Sequence, residues 1–505
     1  MTRTSRVAAW AATAAANLTR LAWRFDAARR AAAFTAAALL AAPAFAAGDI
    51  PPGSGASSFP SDAEIRALLV ERVDALGGPA NGVSIVAGVI GPQGRRVIAY
   101  GQRDRRDSRA PDGNTLYEIG SVTKVFTALL LADMVRRGEV ALTDPATKYL
   151  PAVVRLPERN GRAITLLDLA THTSGLPFMP AGMPDVDDSS ASYSTAQIYD
   201  FLAHYELAHD IGTYWNYSNL GYWLLGQALA ARANADFEQL LVARVLAPLR
   251  LKNTAMTLSS QAKAQLAIGH DAVLQPAPLF SDVPGFKLMK SAGGLVSSTN
   301  ELLSLLSVVM SYERAPLSPS LAAMLDTRRP LDRKSEQALG WVVMGGQGGE
   351  PLIYHDGGTF GFASSVAWDP QRRIGVVVLS NQVSQVGDIA RHLLRPDLPL
   401  EHPTATRRTE ITLAPTDLDA LTGRYEVTDE GIFLVARKGA YLTFEAPPDW
   451  GLPKLRLRPE TPRDFFASEL PLRVTFEPAT GARAAGALIY PPRGQRVFRA
   501  NKLNR

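Results

Sequence analysis

Two β-hairpin patterns stand at opposite ends of a long, mostly helical stretch, and that arrangement constrains this chain more than any other feature. Residues 83–90 (VSIVAGVI) are apolar and β-branched, Gly91-Pro92-Gln93-Gly94 has turn composition, and residues 95–100 (RRVIAY) return. Far downstream, residues 364–368 (SSVAW) run into Asp369-Pro370-Gln371 and return through 374–380 (IGVVVLS). Between them helical periodicity dominates, as in residues 122–137 and 220–231. A lone hairpin cannot bury its apolar face. One antiparallel sheet closed by distant segments, carrying the intervening helices as a second lobe, satisfies both hairpins and predicts an α+β fold. A cleft between sheet and helices is then the expected place for a site. Order is expected from Ser61, which with Glu64 has capping-box spacing ahead of an amphipathic run over 65–76.

The tail has a different character. Residues 401–410 (EHPTATRRTE) are polar and helix-poor, as in an interdomain linker. Past a short helical turn near Leu418, short strands alternate with turns, as at 423–427, 432–437, 441–445, 472–477 and 487–490. This spacing predicts a small all-β barrel or sandwich. A chain of 505 residues exceeds one core, which agrees with a unit over 61–400 followed by a second over 411–505.

The basic balance is local. Of 53 basic and 48 acidic side chains, six arginines and Asp26 fall in residues 1–46, which leaves 47 of each sign elsewhere. No nucleic-acid partner is expected from such a surface. Residues 1–46 read instead as a signal peptide: Arg29-Arg30 closes a basic region, 31–42 is apolar, and Ala44-Phe45-Ala46 is an A-x-A cleavage site. Arg29-Arg30 leaves both the general and the twin-arginine export routes open. Cleavage would start the mature chain at about Ala47 with a Gly/Pro/Ser-rich linker over 47–60 and no transmembrane anchor, in the periplasm or outside the cell. There is no cysteine, so covalent catalysis would fall to Ser, Thr, Lys or a carboxylate. His204 and His209 would diverge on a helix, H-E-x-x-H and G-x-S-x-G are absent, and neither metal nor cofactor is expected.

Three short elements carry chemistry. Ser121 and Lys124 are three apart at the start of a helical run, so an ammonium can lie beside a hydroxyl that needs activation. The alternative is Ser121 as a helix N-cap with Lys124 solvated. Tyr217-Ser218-Asn219 precedes another helix, and an extended backbone there aims Tyr217 and Asn219 the same way. A tyrosine working as a phenolate at neutral pH would need its pKa lowered from about 10 to about 7 by nearby cations. The alternative is Asn219 as a cap and Tyr217 in an aromatic cluster. His355-Asp356-Gly357-Gly358-Thr359 ends an apolar strand with glycines that let a substrate approach the backbone N–H groups, or else forms a glycine-rich turn with a surface histidine.

These elements, with their flanks 117–124 (YEIGSVTK), 167–176 (LDLATHTSGL) and 292–297 (AGGLVS), resemble the class C β-lactamase and DD-peptidase superfamily over about 61–400. The C-terminal part resembles the lipocalin-like barrels appended to some members, D-aminopeptidases among them. The resemblance implies a β-lactamase/transpeptidase-like fold with Ser121 as acylated nucleophile, Lys124 holding its proton balance and Tyr217 as general base and acid. Asn219 would bind the substrate amide, and the N–H groups of Ser121 and Gly358 would form an oxyanion hole, with Gly357 and His355 on the substrate-binding edge. His172 reads as structural. One departure matters: where the β-lactamase branch has Lys-Thr-Gly, this chain has His355-Asp356-Gly357. Histidine is mostly neutral at pH 7, which points away from strong penicillinase activity and toward the peptidase and esterase relatives. Activity on an anionic substrate would then fall as pH rises past the pKa of His355. Small-molecule or peptide substrates are implied; oligomeric state is not. Two other readings are a catalytically weak module that binds penicillin or cell-wall peptides, and a ligand-binding barrel on a hydrolase scaffold.

Overall fold

The computed structural model describes residues 59–184, 192–345, 350–402, 408–428, 431–446, 454–467, 472–478, 485–490 and 497–503. The expected signal peptide 1–46, the linker 47–60 apart from its last two residues, and 403–407 of the linker 401–410 lie outside them. Both hairpins form where the apolar pattern puts them: β1 (Ser84–Gly91) with β2 (Gly94–Gly101), and β9 (Ala363–Asp369) with β10 (Ile374–Ser380). They join directly, because β1 pairs antiparallel with β10 from Ile85↔Ser380 to Ile90↔Gly375. With β5 (Arg329–Pro330), β6 (Ser335–Gln337), β7 (Val342–Met344) and β8 (Leu352–Gly358) they form one eight-stranded sheet, order β2-β1-β10-β9-β8-β7-β6-β5. Every pairing in it is antiparallel.

β1 and β10 are apolar throughout because both faces are covered. Ile85, Ala87 and Val89 join Val376 and Val378 in one core with the helices Asp62–Ala75 and Gly387–Leu394. Val86 and Ile90 join Val377 and Leu379 in the other, the large core shared with the helical lobe. The period of two thus sorts neighbouring residues into two cores. Gly88 faces the second side, where a Cβ would overlap the Thr299 methyl and crowd Leu303, so its lack of a side chain lets the helix Thr299–Val309 lie against the sheet. The helix Thr123–Arg136 is buried on all sides from Thr123 to Met134 and forms the axis of the helical lobe. A short sheet of β3 (Leu116–Glu118) and β4 (Val296–Ser298) leads into it. Ser61 and Glu64 form the expected capping box.

The tail is a closed antiparallel barrel of eight strands, from β11 (Gly423–Val427) through β18 (Phe498–Lys502), which pairs back onto β11. Its interior is packed with Tyr425, Phe433, Phe444, Phe465, Phe476 and aliphatic residues, and Leu418 of the helix Pro415–Leu421 joins the same core. Eight strands enclose just enough room for side chains. Among the described residues no helix is long and apolar enough to cross a membrane.

The close approach at Gly88 makes a prediction. Gly88→Val should lower unfolding stability by about 1–3 kcal/mol through overpacking against Thr299 and Leu303. A urea midpoint equal to that of the unaltered protein would show that the helix–sheet contact is slack.

Candidate active site

Ser121 is held by two glycine contacts before any side chain is considered. Gly120 has φ +48°, and a Cβ there would collide with the backbone of Gly358; a Cβ on Gly357 would run into the Ile119 carbonyl. The turn carrying Ser121 and the end of β8 therefore touch backbone to backbone. Ser364 of β9 fixes the contact by donating from Oγ to Ile119 O at 2.8 Å. Ser121 sits in the 3-10 turn Gly120–Val122 that feeds the helix Thr123–Arg136, whose N-cap position is Val122 with no side-chain cap. The N-cap reading of Ser121 is thereby excluded.

Lys124 lies one turn on, fully buried. Its Nζ donates to Asn219 Oδ1 and Ala292 O, each at 2.7 Å, and lies 3.0 Å from Ser121 Oγ. All three partners are neutral, and burial holds its pKa well below the usual lysine value. Asn219 is free to take this role because Ser218 is the cap of the helix Asn219–Ala233, its Oγ accepting from Gly221 N at 2.8 Å. Tyr217, 9% exposed, turns its hydroxyl toward Ser121, and Lys124 Nζ lies 4.8 Å from its ring centroid. Burial raises the Tyr217 pKa above its ordinary value of 10 despite the Ser121 contact. The resting group is thus a phenol. The expectation of a depressed tyrosine pKa fails because burial disfavours the phenolate, and burial also lowers the pKa of the amine that would favour it.

His355 is on β8, not on the surface, and is 4% exposed. Its Nδ1 lies 2.7 Å from Gly340 O, which can only accept, so Nδ1 carries the ring proton and Nε2 is a bare acceptor. Burial pushes its pKa down to about 3. The expected titration of His355 between pH 5 and 8 is therefore corrected: the ring is neutral throughout. Ser121, Lys124, Tyr217, Asn219, Gly357 and Gly358 all gather at one point, with His355 on the same strand two residues before Gly357.

The sequence description of the Beta-lactamase family matches residues 65–396. The chain belongs to that family. It is 28% identical over 316 residues to the D-alanyl-D-alanine-carboxypeptidase/endopeptidase AmpH of Escherichia coli (strain K12), covering 60% of this chain and 80% of that protein. It is 29% identical over 351 residues to a beta-lactamase of Pseudomonas fluorescens, covering 63% and 94%. A crystal structure of a beta-lactamase/D-alanine carboxypeptidase from Yersinia pestis, complexed with citrate, superposes with a TM-score of 0.55 at 24% identity over 64% of this chain and 93% of that one, which shows a shared fold.

Three residues at this beta-lactamase-family site escaped the sequence reading. Ala292 contributes only its carbonyl, which no side-chain pattern reveals. The Gln385 amide nitrogen comes within 3.4 Å of where a Cβ on Gly358 would lie, and its Oε1 is buried without a partner. Glu118 had a signal, a lone acid in the apolar run Tyr117-Glu118-Ile119. It is 4% exposed and its Oε1 accepts from Phe280 N at 2.7 Å. The Thr359 hydroxyl is beside it, yet neither Thr359 Oγ1 nor Glu118 Oε2 completes a well-aligned bond.

Burial raises the Glu118 pKa from 4.5 to about 7. Below pH 4.5 folded and unfolded states are both protonated, and no penalty arises. As pH rises to about 7 the unfolded chain ionises first, so folding loses up to about 3 kcal/mol, and the loss persists above that pH. Glu118→Gln should remove this dependence: its denaturant midpoint relative to the unaltered protein should improve between pH 4.5 and pH 8. An equal difference at both pH values would mean that Glu118 ionises normally.

Proposed function

We propose that the chain is an exported serine hydrolase that forms an acyl-enzyme at Ser121 and acts on D-amino-acid peptides, β-lactams or small esters. The observation that carries this reading is the buried Lys124 amine, bonded to Ser121 and surrounded by neutral acceptors. A neutral amine has two N–H donors and one lone pair. Asn219 Oδ1 and Ala292 O take the donors, which leaves the lone pair for the Ser121 hydroxyl proton. Ser121 Oγ then attacks the substrate carbonyl carbon as its proton passes to Lys124 Nζ. Tyr217, protonated at rest, gives its proton to the leaving nitrogen or oxygen and regains one from the Lys124 ammonium. In deacylation the same relay runs through water. The N–H groups of Ser121 and Gly358 face the oxyanion, and Asn219 Nδ2, not engaged by Lys124, binds the substrate amide.

His355 shapes substrate choice by what it lacks. Its neutral ring offers a lone pair and no positive charge, so it favours a substrate N–H or O–H and gives a carboxylate no partner. This supports peptides and esters over penicillins. Relatives whose names include carboxypeptidase as well as beta-lactamase support the same range. Export rests on the leader composition alone. The intact Ser121–Lys124–Tyr217 set favours turnover over a weak binding module.

Turnover of p-nitrophenyl acetate, a D-alanyl peptide and a chromogenic cephalosporin should fall at least about 10⁴-fold in Ser121→Ala. A covalent mass increment should map to Ser121 in the unaltered protein; activity retained in the variant would refute the assignment. The ratio of kcat/KM for the anionic cephalosporin to that for the neutral ester should stay flat from pH 5 to 8, because His355 with a pKa of about 3 carries no charge there. A ratio that falls with rising pH would reveal a titrating imidazolium instead.

A further inference from the structure

His172 has no role in the chemistry above, yet it is bonded to and stacked on the Tyr217-Ser218-Asn219 segment. It is 1% exposed and holds a left-handed backbone, φ +58°. For a residue with a Cβ that conformation costs about 1–3 kcal/mol and persists only where the surroundings enforce it. Its carbonyl accepts from Asn216 N at 2.7 Å, and its Nδ1 accepts from Ser218 N at 3.0 Å. The two ends of one residue therefore bracket Tyr217. Its ring also stacks on the Tyr217 ring, centroids 4.2 Å apart at 28°.

We propose that His172 is a positioning residue that fixes Tyr217 and Asn219 through the Nδ1 hydrogen bond to Ser218 N–H. The inference rests on the proposed roles of those two residues. The backbone N–H of Ser218 lies midway between the two working side chains, so freeing it loosens both. Other ties to this segment use main-chain carbonyls of the same loop: Asn219 N donates to Phe178 O at 2.9 Å, and Ser218 Oγ to Pro177 O at 2.6 Å. The imidazole tie to the Ser218 N–H, unlike those, depends on the identity of a side chain outside the segment. An N–H can only donate, so Nδ1 is bare and the proton is on Nε2, which is buried without a partner. Burial keeps the ring neutral, as that bond demands. A packing role alone would be met by any flat ring; the acceptor is what singles out histidine.

Two substitutions separate the ring from the acceptor. His172→Asn keeps an acceptor on the atom corresponding to Nδ1, suits a left-handed backbone, and loses the stack. His172→Phe keeps the stack and leaves Ser218 N–H unpaired. With p-nitrophenyl acetate, H172N should hold kcat within about 3-fold of the unaltered enzyme. H172F should lose about 10- to 100-fold in kcat with KM little changed, the cost of one unpaired buried donor. Should H172F fail to fold by circular dichroism, His172→Gln, whose acceptor is one bond further out, takes its place and should be slowed likewise. A kcat for H172F or H172Q equal to that of the unaltered enzyme, or H172N slowed as much as they are, would overturn the proposal. Nitrogen-15 spectra of histidine-labelled full-length protein test it without any turnover: His172 should be the Nε2–H tautomer, and the Nδ1–H tautomer would overturn it. If instead no turnover depends on Ser121, the functional reading fails while the tautomer result still decides for His172.

Discussion

The site depends on one constraint: an amine with no counter-charge is sealed inside the protein. Lys124 is fully buried, its three partners are neutral, and a lone ammonium there would be costly. The protein answers by favouring the uncharged amine. Once Lys124 is neutral, much else follows. Tyr217 has no cation to stabilise a phenolate, so burial raises its pKa. His355 and His172 are likewise held neutral by burial. The centre is a largely buried set of proton donors and acceptors whose charged forms burial disfavours.

Burying that amine requires the whole lower part of the catalytic unit. The helix Thr123–Arg136 is covered on all sides because the helix Asn219–Ala233, the segment Lys290–Gly293 and the helix Ser318–Ala323 pack around it. Two of the amine's acceptors come from those neighbours, Asn219 from the first and Ala292 from the second. The glycine contacts at Gly120 and Gly357 bring β8 close enough to complete the rim. Thus the sheet, the axial helix and the cross-lobe contacts converge on Lys124, and loosening any of them would let water in and restore its charge.

The architecture was legible in the sequence because it rests on patterns a chain must repeat to fold. The hairpins around Pro92 and Pro370 formed as read, and the capping box at Ser61 fixed the first helix. In the barrel, strands at 423–427 and 441–445 matched, while those at Leu455–Pro459, Asp464–Ala467 and Phe498–Lys502 were missed. Leu455–Pro459 ends in proline, Asp464–Ala467 is only four residues long, and Phe498–Lys502 carries Arg, Asn and Lys, so none stood out as an apolar strand. That Ser121, Lys124, Tyr217 and Asn219 could meet was also legible, and the fold brings them together. Their protonation states were not. Local spacing reports which groups meet, whereas burial by residues hundreds of positions away decides whether they are charged. For the same reason the sequence assigned His355 to the cleft edge but gave it an ordinary pKa.

His172 shows where that limit bites hardest. In sequence it is one polar residue among Thr171, Thr173 and Ser174, and a structural label was the natural reading. The fold turns its ring and carbonyl onto a segment more than forty positions downstream, from Asn216 to Ser218. The distinction between structural and functional then dissolves, because the structure it maintains is the relative position of a phenol and a serine. Proton transfer falls off steeply with misplacement, so an ångström of slack between them would cost more in rate than a cavity of the same size would cost in stability. A residue that never meets the substrate can therefore matter to catalysis as much as one that does, provided that its partner is the backbone between two groups that do.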